Sequence, residues 1–156
     1  MRRVVAQLPE TVTELCLVRV GIQVRRASAW LFARRLRSRI IAESHHALAE
    51  DAGLLCSESF AFSIGHVGFL QYWRGFDEME AWTHRPPHSE WWRGAVDRMR
   101  VKRDLGIYHE AFLVRAAEIE SIYLDCEPTG LGRFGRLAEP VGPLTTSRGR
   151  LGRSRS

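Results

Sequence analysis

Few residue types along this chain can move a proton or hold a developing charge, and their spacing narrows the chemistry open to it. "GIYHEAFLV" sets His109 beside Glu110 in an otherwise apolar run. Imidazole titrates near neutrality, so His109 is a candidate general base for an acidic phenol or enol, with Glu110 a candidate to orient it. Neighbouring strand residues point to opposite faces, so Glu110 would have to act through a turn or a water. "QYWRGF" ends an apolar run in Gln71, Tyr72, Trp73 and Arg74. Aromatic walls and an arginine placed to hold an oxyanion then sit where strand gives way to helix. His88 and Trp92, from "HSEWW", complete the candidate substrate-binding set. Each has a structural rival: a strand histidine is more often a bonded core residue, tryptophans fill cores, and Arg74 can pair with Glu110 or Asp77 at the rim.

Other motifs fail on context. "GLGRFG" (130–135) spells a dinucleotide fingerprint, but Pro140 and Pro143 follow where its helix should begin. "HEAFL" (109–113) has Leu113 where a zinc protease needs its second histidine. His84 and His88 are separated by Pro86 and Pro87, so no regular helical turn brings them to one metal, and the expectation is no metal. His45 and His46 diverge around a helix and read as surface residues.

The formal net charge of +5 sits at the ends of the chain. Arg2, Arg3, Arg148, Arg150, Arg153 and Arg155 are six of the 23 basic residues, which leaves 17 against all 18 acidic residues over 4–147. A phosphate footprint gathers its charge on one face, so no nucleic-acid partner is expected. Cys16, Cys56 and Cys126 are odd in number and far apart. They favour a reducing, cytoplasmic setting over a disulfide framework. The apolar run before Pro9 is too short for a signal peptide, and Arg19, Arg25 and Arg26 interrupt any membrane span.

These residues need elements to position them. "LCLVRVGIQV" (15–24) reads as a strand with Cys16, Val18, Val20, Ile22 and Val24 on one face and Arg19 and Gln23 on the other. An amphipathic helix follows over 28–51, with Ser28 as N-cap and Gly53 as stop. Strands over 54–62 and 66–73 form a hairpin through Ser63, Ile64 and Gly65. A second helix from Phe76 is broken by Pro86 and Pro87 and resumes over 89–103, with Trp92, Ala95, Val96 and Met99 on one side. Strands follow over 106–114 and 119–125. The order predicts an α+β fold, a ferredoxin-like βαββαβ antiparallel sheet with helices on one face plus an extra C-terminal strand. The expected division is an N-terminal arm (1–13), one domain (14–135) and a flexible tail (136–156). A sheet covered on one side predicts a homodimer.

Four blocks in order, "QYWRGFDEMEAW", "HSEWW", "GIYHEAFLV" and "IYLDCEPTGLG", resemble a family of uncharacterised bacterial monooxygenase-family domains. The matching positions are Gln71, Tyr72, Trp73, Arg74, His88, Trp92, Gly106, His109, Glu110, Gly130 and Gly132. Gly75 stands where that family has serine, and "HRPPHSEWW" spaces the second helix unusually. The resemblance implies a dimeric α+β barrel and a cofactor-independent, monooxygenase-like enzyme acting on a small hydrophobic or aromatic molecule. Its superfamily also implies an alternative, a haem-binding, dehydratase-like enzyme with His109 or His88 as axial ligand, and a separate alternative is a non-catalytic dimer that binds a small molecule.

Overall fold

The structure is a computed structural model and describes residues 1–151. Its centre is an antiparallel sheet. Strand β1 (Arg3–Gln7) precedes β2 (Glu14–Val24), which lies in the middle between β4 (His66–Trp73) and β5 (Leu105–Arg115), with β3 (Leu54–Ser63) outside β4. Connected by helices α1 (Trp30–Ala49), α2 (Phe76–His84) and α3 (His88–Lys102), the order β3-β4-β2-β5 is the ferredoxin-like arrangement. Period-2 patterning sets the faces: Cys16, Val18, Ile22, Phe69 and Trp73 are buried towards the helices, while Arg19 and Gln23 point away.

Register then decides which side chains meet. On the helix-facing side Phe69, Val20 and His109 lie in one row across three strands, and Gln71, Val18 and Ala111 in the next. On the outer side Leu70, Arg19 and Glu110 form a row, and Gly68, Gly21 and Tyr108 another. Tyr108 lies across those glycines, and a Cβ at Gly21 would come within 2.2 Å of its hydroxyl.

The helices cover one face. In α1 the buried residues Ala33, Leu36, Ile40, Ser44 and Ala47 recur at helical spacing. Ser28 is not its N-cap: the chain enters through a 3-10 turn, Ala27–Ala29, and the Ser28 hydroxyl donates instead to Asp104, 2.9 Å away. Asp104 is buried and also pairs with Arg98, which ties the starts of α1 and β5 to α3. In α3 the fully buried residues are Trp91 and Ala95, with Trp92 only half-buried. Of the expected stripe Ala95 is fully buried and Trp92, Val96 and Met99 are partly buried, and Trp91 is buried beside them.

The ends differ from expectation. The arm over 1–13 contains β1, which pairs with β6 (Tyr123–Leu124) and β7 (Arg136–Ala138) in a second small sheet, and Val5 there is buried. The extra C-terminal strand thus shrinks to β6 and joins β1, not the main sheet. Of the segment expected as a flexible tail, residues 136–151 fold back: Leu144 is buried and Arg150 reaches Glu120 at 2.6 Å. Residues 152–156 lie outside the described residues.

Candidate active site

His109 comes from the middle of β5, on the helix-facing side. It faces a cavity of about 40 Å³ bordered by Val18, Val20, Met79, Thr83, His88, Trp91, Trp92 and Gln71. Its ring lines this space while the residue itself is exposed, so it stands at the mouth. Beyond it the helices stop covering β5, and Ala111 and Leu113, on the same face, are exposed.

A second cavity of about 20 Å³ lies deeper, bordered by Glu43, Ser44, Leu54, Trp73 and Trp82. The two share a waist of Ile40, Gln71, Thr83, His88 and Trp91. Space of this size holds one or a few waters. Gln71 is fixed there by neighbours: its amide nitrogen donates to the Ser44 hydroxyl at 3.1 Å and its amide oxygen accepts from Trp73 Nε1 at 3.3 Å. Ser44 also bonds Ser57 at 3.1 Å. His88, at the first turn of α3, packs against Trp91 with ring centroids 4.3 Å apart and ring planes tilted by 57°.

Electrostatics separate the titratable groups. Burial, and His109 nearby, push His88 down to about 4. Burial likewise lowers His109. Both imidazoles are therefore neutral at pH 7, the form that accepts a proton. Burial pushes the Glu43 carboxyl up, against the opposing pull of His46 and Trp91. Glu43 Oε2 lies 3.9 Å from His88 Nδ1. That is too long for a hydrogen bond, and with His88 neutral it is not an ion pair. Glu43 Oε2 and Trp91 Nε1 are buried without a well-formed hydrogen bond, yet the Trp91 N–H still lowers the Glu43 carboxyl.

The structure therefore brings together His109, His88, Gln71, Trp73 and Trp92, but not three of the residues expected with them. Arg74 lies at the end of β4, where its guanidinium pairs with Asp51 at 2.6 Å, and holds no oxyanion at this cavity. Its partner is neither Glu110 nor Asp77. Glu110 faces the outer side and pairs with Arg19 at 2.6 Å, so it does not orient His109. Tyr72 is also on the outer side, packed against Phe134 with ring centroids 5.7 Å apart. Burial pushes its hydroxyl up to about 12, which leaves it inert at neutral pH. Sequence reasoning missed Glu43, Ser44, Thr83 and Trp91. A signal existed for Ser44, which shares the helical spacing of Leu36 and Ile40. A larger hollow of about 420 Å³ between β1, Ala116–Ser121 and Arg150 contains neither histidine nor cysteine. Among the described residues no cluster of three metal-ligating side chains occurs, and no helix is long and apolar enough to cross a membrane.

The sequence pattern of the Monooxygenase af470-like family matches residues 15–131. The chain belongs to that family. It is 26% identical over 106 residues to Monooxygenase af470 of Aspergillus fumigatus, a match covering 64% of this chain and 38% of that protein. It is 30% identical over 83 residues to the phenylacetaldoxime dehydratase of a Bacillus species, covering 50% of this chain and 24% of that enzyme. Among solved structures an aldoxime dehydratase superposes with a TM-score of 0.64 at 17% identity, covering 89% of this chain and 39% of that one. A second, crystallised with butyraldoxime, gives 0.65 at 18% identity, covering 88% and 38%. The chain spans from about a quarter to two-fifths of these proteins' length, and at such identity the structural likeness is one of fold. The af470-like family assignment agrees with the four blocks read from the sequence.

Proposed function

We propose that this member of the af470-like family is a monooxygenase-like enzyme that deprotonates a small hydrophobic or aromatic molecule with His109. The observation that carries the reading is an imidazole at a cavity mouth walled by tryptophan: partial burial lowers the proton affinity of His109, and the half-buried Trp92 beside it offers a flat apolar surface. A space of about 40 Å³ admits a small group and no ring. The substrate ring therefore lies at the mouth, on Trp92 and the uncovered shelf of Ala111 and Leu113. His109 takes a proton from an activated C–H or O–H and leaves an electron-rich carbanion or phenolate. Dioxygen is the co-reactant: one of its atoms enters the substrate as a carbonyl, and the other leaves as water with the two hydrogens lost. No external reductant is needed.

A second copy of the chain is the partner that would cover this shelf. Strand β5 is a sheet edge, paired with β2 over eleven residues without a bulge, and Phe112 and Leu113 on it are 51% and 58% exposed. Analytical ultracentrifugation tests this, and a monomer at micromolar concentration would count against it.

The haem-dependent dehydratase reading needs a porphyrin slot of several hundred Å³ beside an imidazole. The space beside His88 and His109 is about 40 Å³, with Trp91, Trp92 and Met79 filling its surroundings. The residues as arranged do not fit that group. The deciding experiment is oxygen consumption with a panel of phenols and enolisable ketones. Turnover that His109→Ala abolishes supports the proposal, and turnover equal in the variant ends it.

A further inference from the structure

Three spaces meet at one side chain. Trp91 borders the outer cavity of about 40 Å³ beneath His109, the inner cavity of about 20 Å³, and an open groove of about 480 Å³ between α1 and α3. Phe32, Arg39 and Ala42 form one bank of the groove, with Pro87, Glu90 and Gly94 on the other. Trp91 is 8% exposed, so its indole is packed within the helix layer, between the cavities and the groove.

We propose that Trp91 sets the length of the substrate: its indole stops an apolar chain that enters the outer cavity, and so restricts the substrate to a ring whose side chain, beside the acidic proton, has at most about three carbons. The inference rests on the reading that the substrate seats at the mouth with His109 as its base. With the ring on Trp92 and the reacting C–H at His109, whatever else the substrate carries points inward. The two cavities together have room for a few atoms of the size of water, and a longer chain collides with the indole.

Three observations support this. Val18, Val20 and Met79 make an apolar lining that suits an alkyl group. At the waist, the Gln71 amide donates to Ser44 and Ser57 and the Thr83 hydroxyl to the Glu80 carbonyl, so neither has a hydrogen left to offer a polar group. The indole is also held in place by His88 and Trp92, whose ring centroids lie 4.3 and 6.2 Å from its own, which makes it a fixed wall. Space lies beyond that wall: a Cβ at Gly94 would have nothing within 4 Å. An apolar hole of roughly 150 Å³ accepts a benzene ring, and removing an indole vacates space of that order, so the cavities would then run into the groove.

Phenyl alkyl ketones from acetophenone to octanophenone test the proposal, because their acidic C–H lies between ring and chain. Calorimetry gives Kd for each, and the ¹³C signal of the His109 ring reports whether the ketone seats there. In wild type the affinity is expected to rise to butyrophenone and to fall about tenfold by hexanophenone. In Trp91→Ala it should keep rising, by up to about fourfold for each methylene buried. Trp91→Phe should move the limit by a carbon or two, and it carries the test if thermal unfolding shows that Trp91→Ala does not fold. Gly94→Leu added to Trp91→Ala fills the groove and should take the gain away. A wild type that binds every length alike, a limit unmoved in the folded variants, or a gain that survives Gly94→Leu overturns the proposal. Oxygen consumption on the same series separates the two claims. A limit that moves with Trp91 in a protein that never consumes oxygen fails the monooxygenase reading alone. Turnover that His109→Ala abolishes, with the limit unmoved, fails the Trp91 inference alone, and ketones that bind without shifting the His109 signal overturn both.

Discussion

His109 and Glu110 are neighbours in one strand, yet they belong to different chemical worlds. On the helix-facing side His109 meets tryptophan, valine and a second neutral histidine, and no charged partner bonds it. On the outer side Glu110 is bonded to Arg19, whose guanidinium lies 4.9 Å from the Tyr108 ring centre and 5.5 Å from that of Phe62, while Tyr108 bonds His66 at 3.1 Å. The outer cluster has more polar atoms, but they satisfy one another. The inner one leaves Glu43 Oε2 and Trp91 Nε1 buried without a well-formed hydrogen bond. Alternation along a strand places them; the layer that covers each face decides what they can do.

The comparison can be broken by experiment, beginning with the largest effect. Trp73 is 2% exposed, so Trp73→Ala on the helix side should cost about 3–5 kcal/mol in urea unfolding, through lost burial and a cavity. The inner histidine should also make stability depend on pH. Its folded value of about 4 lies below the ordinary 6.5, so the unfolded chain binds the proton more readily between them. The stability is full above pH 6.5 and lost as the pH falls towards 4, by roughly 3 kcal/mol. Glu43, shifted upward, works in the opposite sense over its own range. The clean measurement is therefore wild type against His88→Leu: the variant should lack most of that acid-side loss, and equal slopes would show that His88 is not shielded.

His109→Ala should lower kcat/KM about 100-fold, or about 2.7 kcal/mol, as expected on removing a general base, with Glu110→Gln changing it less than about twofold. Equal effects from both would erase the distinction between the faces. The smallest effect is expected at Arg19→Met. Its side chain is 38% exposed and that of Glu110 46%, so water screens the pair and its loss should move the unfolding midpoint little, and less still in high salt.

Much of the fold could be read directly. The β-branched alternation of 15–24, the apolar spacing of α1, the Gly65 turn and the paired prolines are local signals, and each corresponds to an element. The small sheet escaped notice because β6 and β7 have two and three residues, and β1 meets them across more than a hundred positions of chain, as in Val4 opposite Tyr123. Trp91 and Trp92 differ by one helical step, and only the docking of α3 determines which is swallowed. Arg74 was misplaced for a similar reason: strand parity says which way a side chain leaves the sheet, but not that Asp51, in a left-handed turn at φ 51°, waits 2.6 Å away.

By itself the sequence determined the periodicities, and these determined the ferredoxin-like sheet, its single helical layer and the separation of His109 from Glu110, because side-chain direction along a strand is a local property of the backbone. The tertiary structure alone decided that His88 and Glu43 come to lie near His109 and that Arg74 and Tyr72 do not. Proximity between distant segments, and the desolvation that shifts a proton equilibrium, arise only when helices and sheet exclude water together.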